Sequence, residues 1–148
     1  MTEIESQILR LNDLEDIKGL VHRYAHCIWQ EKPLEAADLF SDDGIIDFGP
    51  YGGRVSGREK LRSLLQEKVE EQWLQPFVHN HLIDLDGDKA SGYVYIDLRS
   101  QTEGGCMIGS GYYEDDYVRI DGQWKFKCRA VHMEYLVPAG TSWSRATD

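Results

Sequence analysis

The chain has 148 residues, with 16 Lys plus Arg against 26 Asp plus Glu and a formal charge of −10; that is length for one domain with its own core, and a charge that argues against nucleic acid and anionic membranes as partners. Hydrophobic residues make up 41%, with eight Tyr and four Trp, a supply that a disordered, solvating chain lacks. Cys27, Cys106 and Cys128 form no even set and no C-x-x-C pair, and neither a basic leader nor a run near the ~18 apolar residues of a membrane span is present, so a cytoplasmic protein without disulfides or structural zinc is expected.

Asn12 and Glu15 have capping-box spacing, and Ile17, Leu20, Val21, Tyr24 and Ile28 recur at helical intervals, predicting a first helix that ends near Gln30. Pro33 suits the first turn of a short second helix through Phe40, which Ser41-Asp-Asp-Gly44 should terminate. Ile45 to Phe48 reads as a short strand, and the Gly-rich turn to Gly53 returns the chain through Arg54 and Val55 as a small hairpin. Ser56 and Glu59 form a second capping box, and Leu61, Leu64, Leu65 and Val69 lay an apolar stripe that should continue toward Trp73 until Pro76 stops it. From Phe77 the period changes to two. Strands are expected over residues 77–85, 89–99, 106–119 and 123–137, separated by the turn signals Asp86-Gly-Asp88, Glu103-Gly-Gly105 and Asp121-Gly122.

Helices first and long antiparallel strands afterwards make an α+β fold, with one domain over residues 1–137 and a loose tail over 138–148. A curved sheet wrapped on three helices encloses a cone, the usual place for a small ligand between apolar walls and a few polar groups.

Arg23-Tyr-Ala-His26, Ala37-Asp-Leu-Phe-Ser-Asp-Asp-Gly44, Asn80 with Asp86-Gly-Asp-Lys-Ala90, and Tyr117-Val-Arg-Ile-Asp-Gly-Gln-Trp-Lys-Phe126 occur in this order. Together they resemble the SnoaL-like, scytalone dehydratase-like branch of the nuclear transport factor 2-like superfamily. The resemblance implies a cystatin-like roll, cofactor-free acid–base chemistry on a small hydrophobic substrate, and a homo-oligomer, dimer or trimer. In its dehydratase-like members an Asp late in the first helix orients a proton-abstracting His on the strand after the third helix. Here Trp29 falls at the Asp position and Pro76 at the His position, and neither side chain transfers protons.

Other residues must therefore carry the chemistry. His79 is the first candidate for the base, provided that a bulge near Val78 turns it into the cone. Tyr24 belongs to the inward stripe of the first helix, and Tyr51 in the Gly-rich hairpin corresponds to the mouth of relatives; both are candidate donors to a substrate oxygen. Arg129 follows the signature Trp124 by five residues, as in dehydrochlorinase-like members, and would stabilise a departing anion or an oxyanion unless it pairs with a sheet carboxylate such as Asp47. Trp29, Phe48, Trp73, Asn80, Ile96, Leu98 and Tyr113 are the expected substrate-binding walls. His22 and His26, one helical turn apart, read as flanking residues, and His81 shares a face with His79 without a third ligand, so no metal is expected. His132 is held in reserve.

The sequence thus predicts a cofactor-independent lyase that removes water or a formaldehyde-type fragment from a small aromatic alcohol or diol. The alternatives are an isomerase or cyclase of a ketone or polyketide-like substrate, with Asp47 as its base if it turns inward, and a non-catalytic binding protein.

Overall fold

The computed structural model describes residues 1–145. The first helix, α1, spans Glu3–Trp29, and its capping box is not at Asn12. The Thr2 hydroxyl accepts the Glu5 N–H at 3.1 Å while the Glu5 carboxylate accepts the Thr2 N–H at 3.4 Å. The sequence pattern missed these first turns because they bury nothing: apolar periodicity begins at Ile17, whereas Ile4, Ile8, Leu9 and Leu11 stay exposed.

After α1 come α2 (Pro33–Ala37), β1 (Phe40–Asp47), a 3-10 turn (Gly49–Tyr51), β2 (Arg54–Ser56) and α3 (Arg58–Glu71). Two boundaries differ from expectation. Ser41–Gly44, expected as a helix stop, lies within β1 as an irregular stretch where the pairing skips from Phe40 to Ile45. The third helix ends at Glu71, its N-cap is Gly57 without a side-chain cap, and Gln72 is already extended at φ −158°, ψ 153°.

The long strands are β3 (Trp73–Asp86), β4 (Lys89–Thr102), β5 (Gly105–Ile120) and β6 (Gln123–Pro138), close to the expected four. The sheet is open, in the order β2-β1-β6-β5-β4-β3, with every neighbouring pair antiparallel except β1 with β6. Pro76 therefore sits inside a strand. It is tolerated because β3 is an edge, where a missing N–H need not interrupt a ladder on both sides. At the β5–β6 hairpin Asp121 and Gly122 both adopt positive φ, 51° and 77°, the backbone that a two-residue turn between right-twisted strands requires.

The curved sheet presents one face to the helices. Ile17, Leu20, Val21 and Tyr24 of α1 and Leu61 and Leu65 of α3 meet Val94, Ile96, Tyr113, Tyr117, Trp124 and Phe126 of the strands in one core. Trp124 fills its end, the indole N–H donating to Asp13 Oδ1 at 3.1 Å. Beyond Pro138 the tail expected to be loose folds back, with the Trp143 ring stacked on Tyr135 at 5.0 Å and 14°; residues 146–148 of that expectation lie outside the described residues. No described helix is long and apolar enough to cross a membrane.

Candidate functional site

A cavity of about 220 Å³ opens between the sheet, α1, α3 and the β1–β2 hairpin. Ile28, Leu65, Leu74, Ile96, Leu98 and Val131 are among its walls, so the surface is mainly aliphatic. Phe48 and Tyr51 come from the hairpin, and Lys68 and Gln72 from the end of α3. Ser100, Tyr24 and Tyr113 supply the remaining hydroxyls. No carboxylate and no imidazole occurs among the described lining residues.

Tyr24 and Tyr113 are 4% and 6% exposed, and their rings meet edge to face at 6.2 Å and 84°. Neither hydroxyl has a hydrogen-bond partner among the described residues. Burial raises the pKa of both phenols, so each stays protonated and is a donor. Arg129 opposes that rise from beneath: its guanidinium carbon lies 3.8 Å from the Tyr113 ring centroid, 4.3 Å from Phe126 and 4.6 Å from Tyr24.

Arg129 is wholly buried, and its partner is Asp115 of β5, not Asp47. Nε donates to Oδ1 at 2.8 Å and Nη2 to Oδ2 at 2.7 Å, a bidentate pair. Nη1 has no oxygen acceptor among the described residues; the three aromatic faces are what surround the cation. Arg129 is therefore a charged plate under the phenols and does not itself line the cavity. Asp47 instead accepts the Gly49 N–H at 2.8 Å and lies near Arg54 at the hairpin.

The buried network continues outward. The Tyr117 hydroxyl donates to Asp115 Oδ2 at 2.8 Å, and His81 Nε2 lies 2.9 Å from the same hydroxyl. Because the single Tyr117 proton is committed to the carboxylate, Nε2 must carry the imidazole proton and donate it, which leaves Nδ1 as a buried lone pair without a partner among the described residues. Burial lowers the His81 pKa to about 4, partly offset by Asp115, so the ring is neutral at pH 7. Its place in the network fixes polarity and tautomer, not charge.

The bulge expected near Val78 exists, as a register break between Val78 and His81, but its effect is the reverse of the expectation. Leu74, Pro76 and Val78 face the helices before it, and His81, Ile83 and Leu85 after it, so the two residues left outside are His79 and Asn80. His79 is about half exposed on the outer face and holds Asp97 Oδ2 at 2.8 Å. Asp97 also accepts from Ser110, and these bonds, Ser110 first, hold its carboxyl below the usual range. Neither His79 nor Asn80 reaches the cavity.

Of the other expected residues, Tyr24, Tyr51, Phe48, Ile96, Leu98 and Tyr113 line the cavity, whereas Trp29 and Trp73 do not. Trp29 and Pro76, the two positions that the resemblance assigns to a proton-transfer pair, are in contact: the indole N–H donates to the Pro76 carbonyl at 2.6 Å. Edge-to-face contacts with Phe77 at 5.2 Å and Trp73 at 6.1 Å hold that indole. These two positions thus form a structural clamp between α1 and β3. His22 and His26 are exposed on α1, and His132 stacks on Tyr112 at 4.9 Å beside Glu114, outside the cavity. No described group of three or more His, Cys, Asp or Glu is arranged to hold a metal ion.

Asp115, Tyr117 and Lys68 were not expected at the site, and His81, expected on the same face as His79, lies on the opposite one because of the bulge between them. Period two held the signal for the first two: Tyr113, Asp115 and Tyr117 share a strand face, which places Asp115 inward while its neighbours Glu114 and Asp116 stay exposed.

Known proteins share this architecture. The SnoaL-like domain matches residues 9–130 of the chain. No curated protein matches. A protein of unknown function from Mycobacterium tuberculosis, Rv3472, solved as a single-residue variant, is 27% identical with a TM-score of 0.77, over 90% of this chain and 76% of that one. A putative scytalone dehydratase from Novosphingobium aromaticivorans is 24% identical with a TM-score of 0.78, over 90% and 97% of the two chains. LinA, 20% identical, superposes with a TM-score of 0.84 over 95% of this chain and 99% of its own, which is a likeness of fold. With the profile spanning most of its length, the chain belongs to the SnoaL-like domain family.

Proposed function

We propose that the protein takes up one small hydrophobic molecule bearing an oxygen function, holds that oxygen at the hydroxyls of Tyr24 and Tyr113, and acts on it without a cofactor, as a lyase of an aromatic alcohol or diol. The observation that carries this reading is the pair of buried, protonated phenols with no partner among the described residues, set in an apolar cavity above a guanidinium. A donor in such a site binds an oxygen more strongly than water does and needs little reorganisation. In dehydration one phenol gives its proton to the leaving hydroxyl. The phenolate, favoured by Arg129 beneath it, then removes a proton from the adjacent carbon; C–O and C–H bonds break, C=C forms and water leaves. A cavity of about 220 Å³ exceeds by about half the ~150 Å³ that accommodates benzene in an engineered core, which favours one ring with short substituents over a polycyclic ligand.

A second reading, binding without turnover, is favoured by the lack of a carboxylate or imidazole in the described lining. Isomerisation or cyclisation of a ketone would use the same donors on an enolate. Incubation with a panel of aromatic alcohols, diols and ketones, followed by calorimetry and product separation, distinguishes these. Loss of one phenolic donor, Tyr24→Phe or Tyr113→Phe, should weaken binding about fivefold, the worth of one hydrogen bond of about 1 kcal/mol, and slow elimination at least ~100-fold. His79→Ala, on the outer face, should change neither. Binding with no product selects the carrier reading; no binding by any member refutes the assignment.

The proposed location is the cytoplasm, supported by three free cysteines. The proposed assembly is a homo-oligomer, supported by the exposed Ile4, Ile8 and Leu11 on α1 and Leu82, Tyr93 and Tyr95 on the outer sheet face; sedimentation of a single monomeric species would refute it.

A further inference from the structure

Lys68 is the single charged residue among the described lining of the cavity, in a chain whose formal charge is −10. It sits near the end of α3, one turn before Gln72, which also lines the cavity. Its Nζ donates to the Tyr51 carbonyl at 3.2 Å and lies 5.7 Å from the Phe48 ring centroid, so the ammonium is held across the hairpin at the mouth. It forms no ion pair among the described residues. An ammonium has three N–H donors, and one goes to Tyr51.

The polar groups of the cavity are therefore divided along its depth. Tyr24 and Tyr113, almost fully buried, offer neutral donors inside, while Lys68 offers a cation beside the half-exposed Tyr51. No described lining carboxylate neutralises that cation, and none would repel an incoming anion. A neutral ligand would leave the ammonium to solvent. An anionic one would complete its shell, and the apolar walls, by lowering the local dielectric, would strengthen the attraction.

We infer that the ligand is a carboxylate: a single-ring or similarly sized hydrophobic acid carrying a second oxygen function, its carboxylate on Lys68 at the mouth and its hydroxyl or carbonyl against Tyr24 and Tyr113 inside. This rests on the reading of the cavity as the ligand site and names the class that the site selects. Lys68 is then a specificity residue, not part of the proton transfer.

A matched pair of probes tests it: 3-phenyllactate, and 3-phenylpropane-1,2-diol, which replaces the carboxylate by a neutral hydroxymethyl group. Calorimetry should find the acid bound about tenfold more tightly by the wild-type chain, the ratio expected for about 1.4 kcal/mol of charge recognition at a half-buried pair. In Lys68→Met, which keeps the length and helix propensity of the side chain, the ratio should fall to about one, and in Lys68→Glu it should invert. Melting curves and circular dichroism establish that the variants are folded. Equal binding of both probes by the wild type, or a ratio unchanged in Lys68→Met, would overturn the carboxylate assignment while leaving the cavity reading intact. Failure of both probes to bind would overturn both.

Discussion

Replacing Arg129 by Met tests whether the buried ion pair is what holds the site in shape. The side chains of Arg129 and Asp115 are 1% and 0% exposed and share two hydrogen bonds of 2.8 and 2.7 Å. Met fills much of the same volume but leaves the Asp115 carboxylate with Tyr117 as its remaining hydrogen-bond donor. Orphaning one member of a buried pair costs about 3–5 kcal/mol, and at about 2–4 °C per kcal/mol for a chain of this length the melting temperature should drop on the order of 10 °C. The double variant Arg129→Met with Asp115→Leu removes the stranded charge and should recover most of that loss, because two well-packed apolar side chains replace a pair whose desolvation nearly cancels its attraction. Urea unfolding of the wild type, both single variants and the double variant closes the cycle. A loss under about 1 kcal/mol, well short of the cost of an orphaned buried charge, or a double variant no more stable than Arg129→Met, would refute the reasoning.

Two further outcomes follow from the bonds around the cavity. Trp29→Phe keeps a ring against Trp73 and Phe77 but removes the donor to the Pro76 carbonyl, so it should cost about 1–2 kcal/mol in urea unfolding, and no loss would mean that the clamp is not stabilising. His81 makes stability fall in acid: its folded pKa of about 4 lies below the ordinary 6.5, so the unfolded chain binds the proton first. The contribution is whole above pH 6.5 and is lost as pH falls from there toward 4, by about 1–2 kcal/mol once the partial exposure of the ring is allowed for. His81→Gln, which retains a donor to Tyr117, should flatten that part of the profile; an unchanged acid slope would exclude His81 as its source.

Alternation and turn chemistry determined most of the sheet, because a period of two and paired positive-φ turn residues are local properties of the chain. They predicted four long strands within a few residues of where they lie, whereas Tyr24 was legible from the apolar stripe of the first helix, and Tyr51 and Tyr113 from the resemblance to relatives. The first three turns of α1 escaped because they bury no apolar side chain. Pro76 misled because a helix stop and an edge-strand residue look alike until the strand order is known.

The sequence by itself determined the α+β class, the order of the elements and the residues able to form an apolar cone, since these follow from composition and periodicity. Which polar groups enter that cone was decided by tertiary structure alone. His79 follows the inward Val78 and faces outward by simple alternation, and one extra residue at the β3 bulge turned Asn80 outward and His81 inward; no periodicity announces where a strand changes its parity. The partner of Arg129 was likewise set by β5 lying beside β6. The charge surplus of the opening composition leaves one carboxylate, Asp115, buried beneath the phenols and none among the described residues on the cavity wall itself.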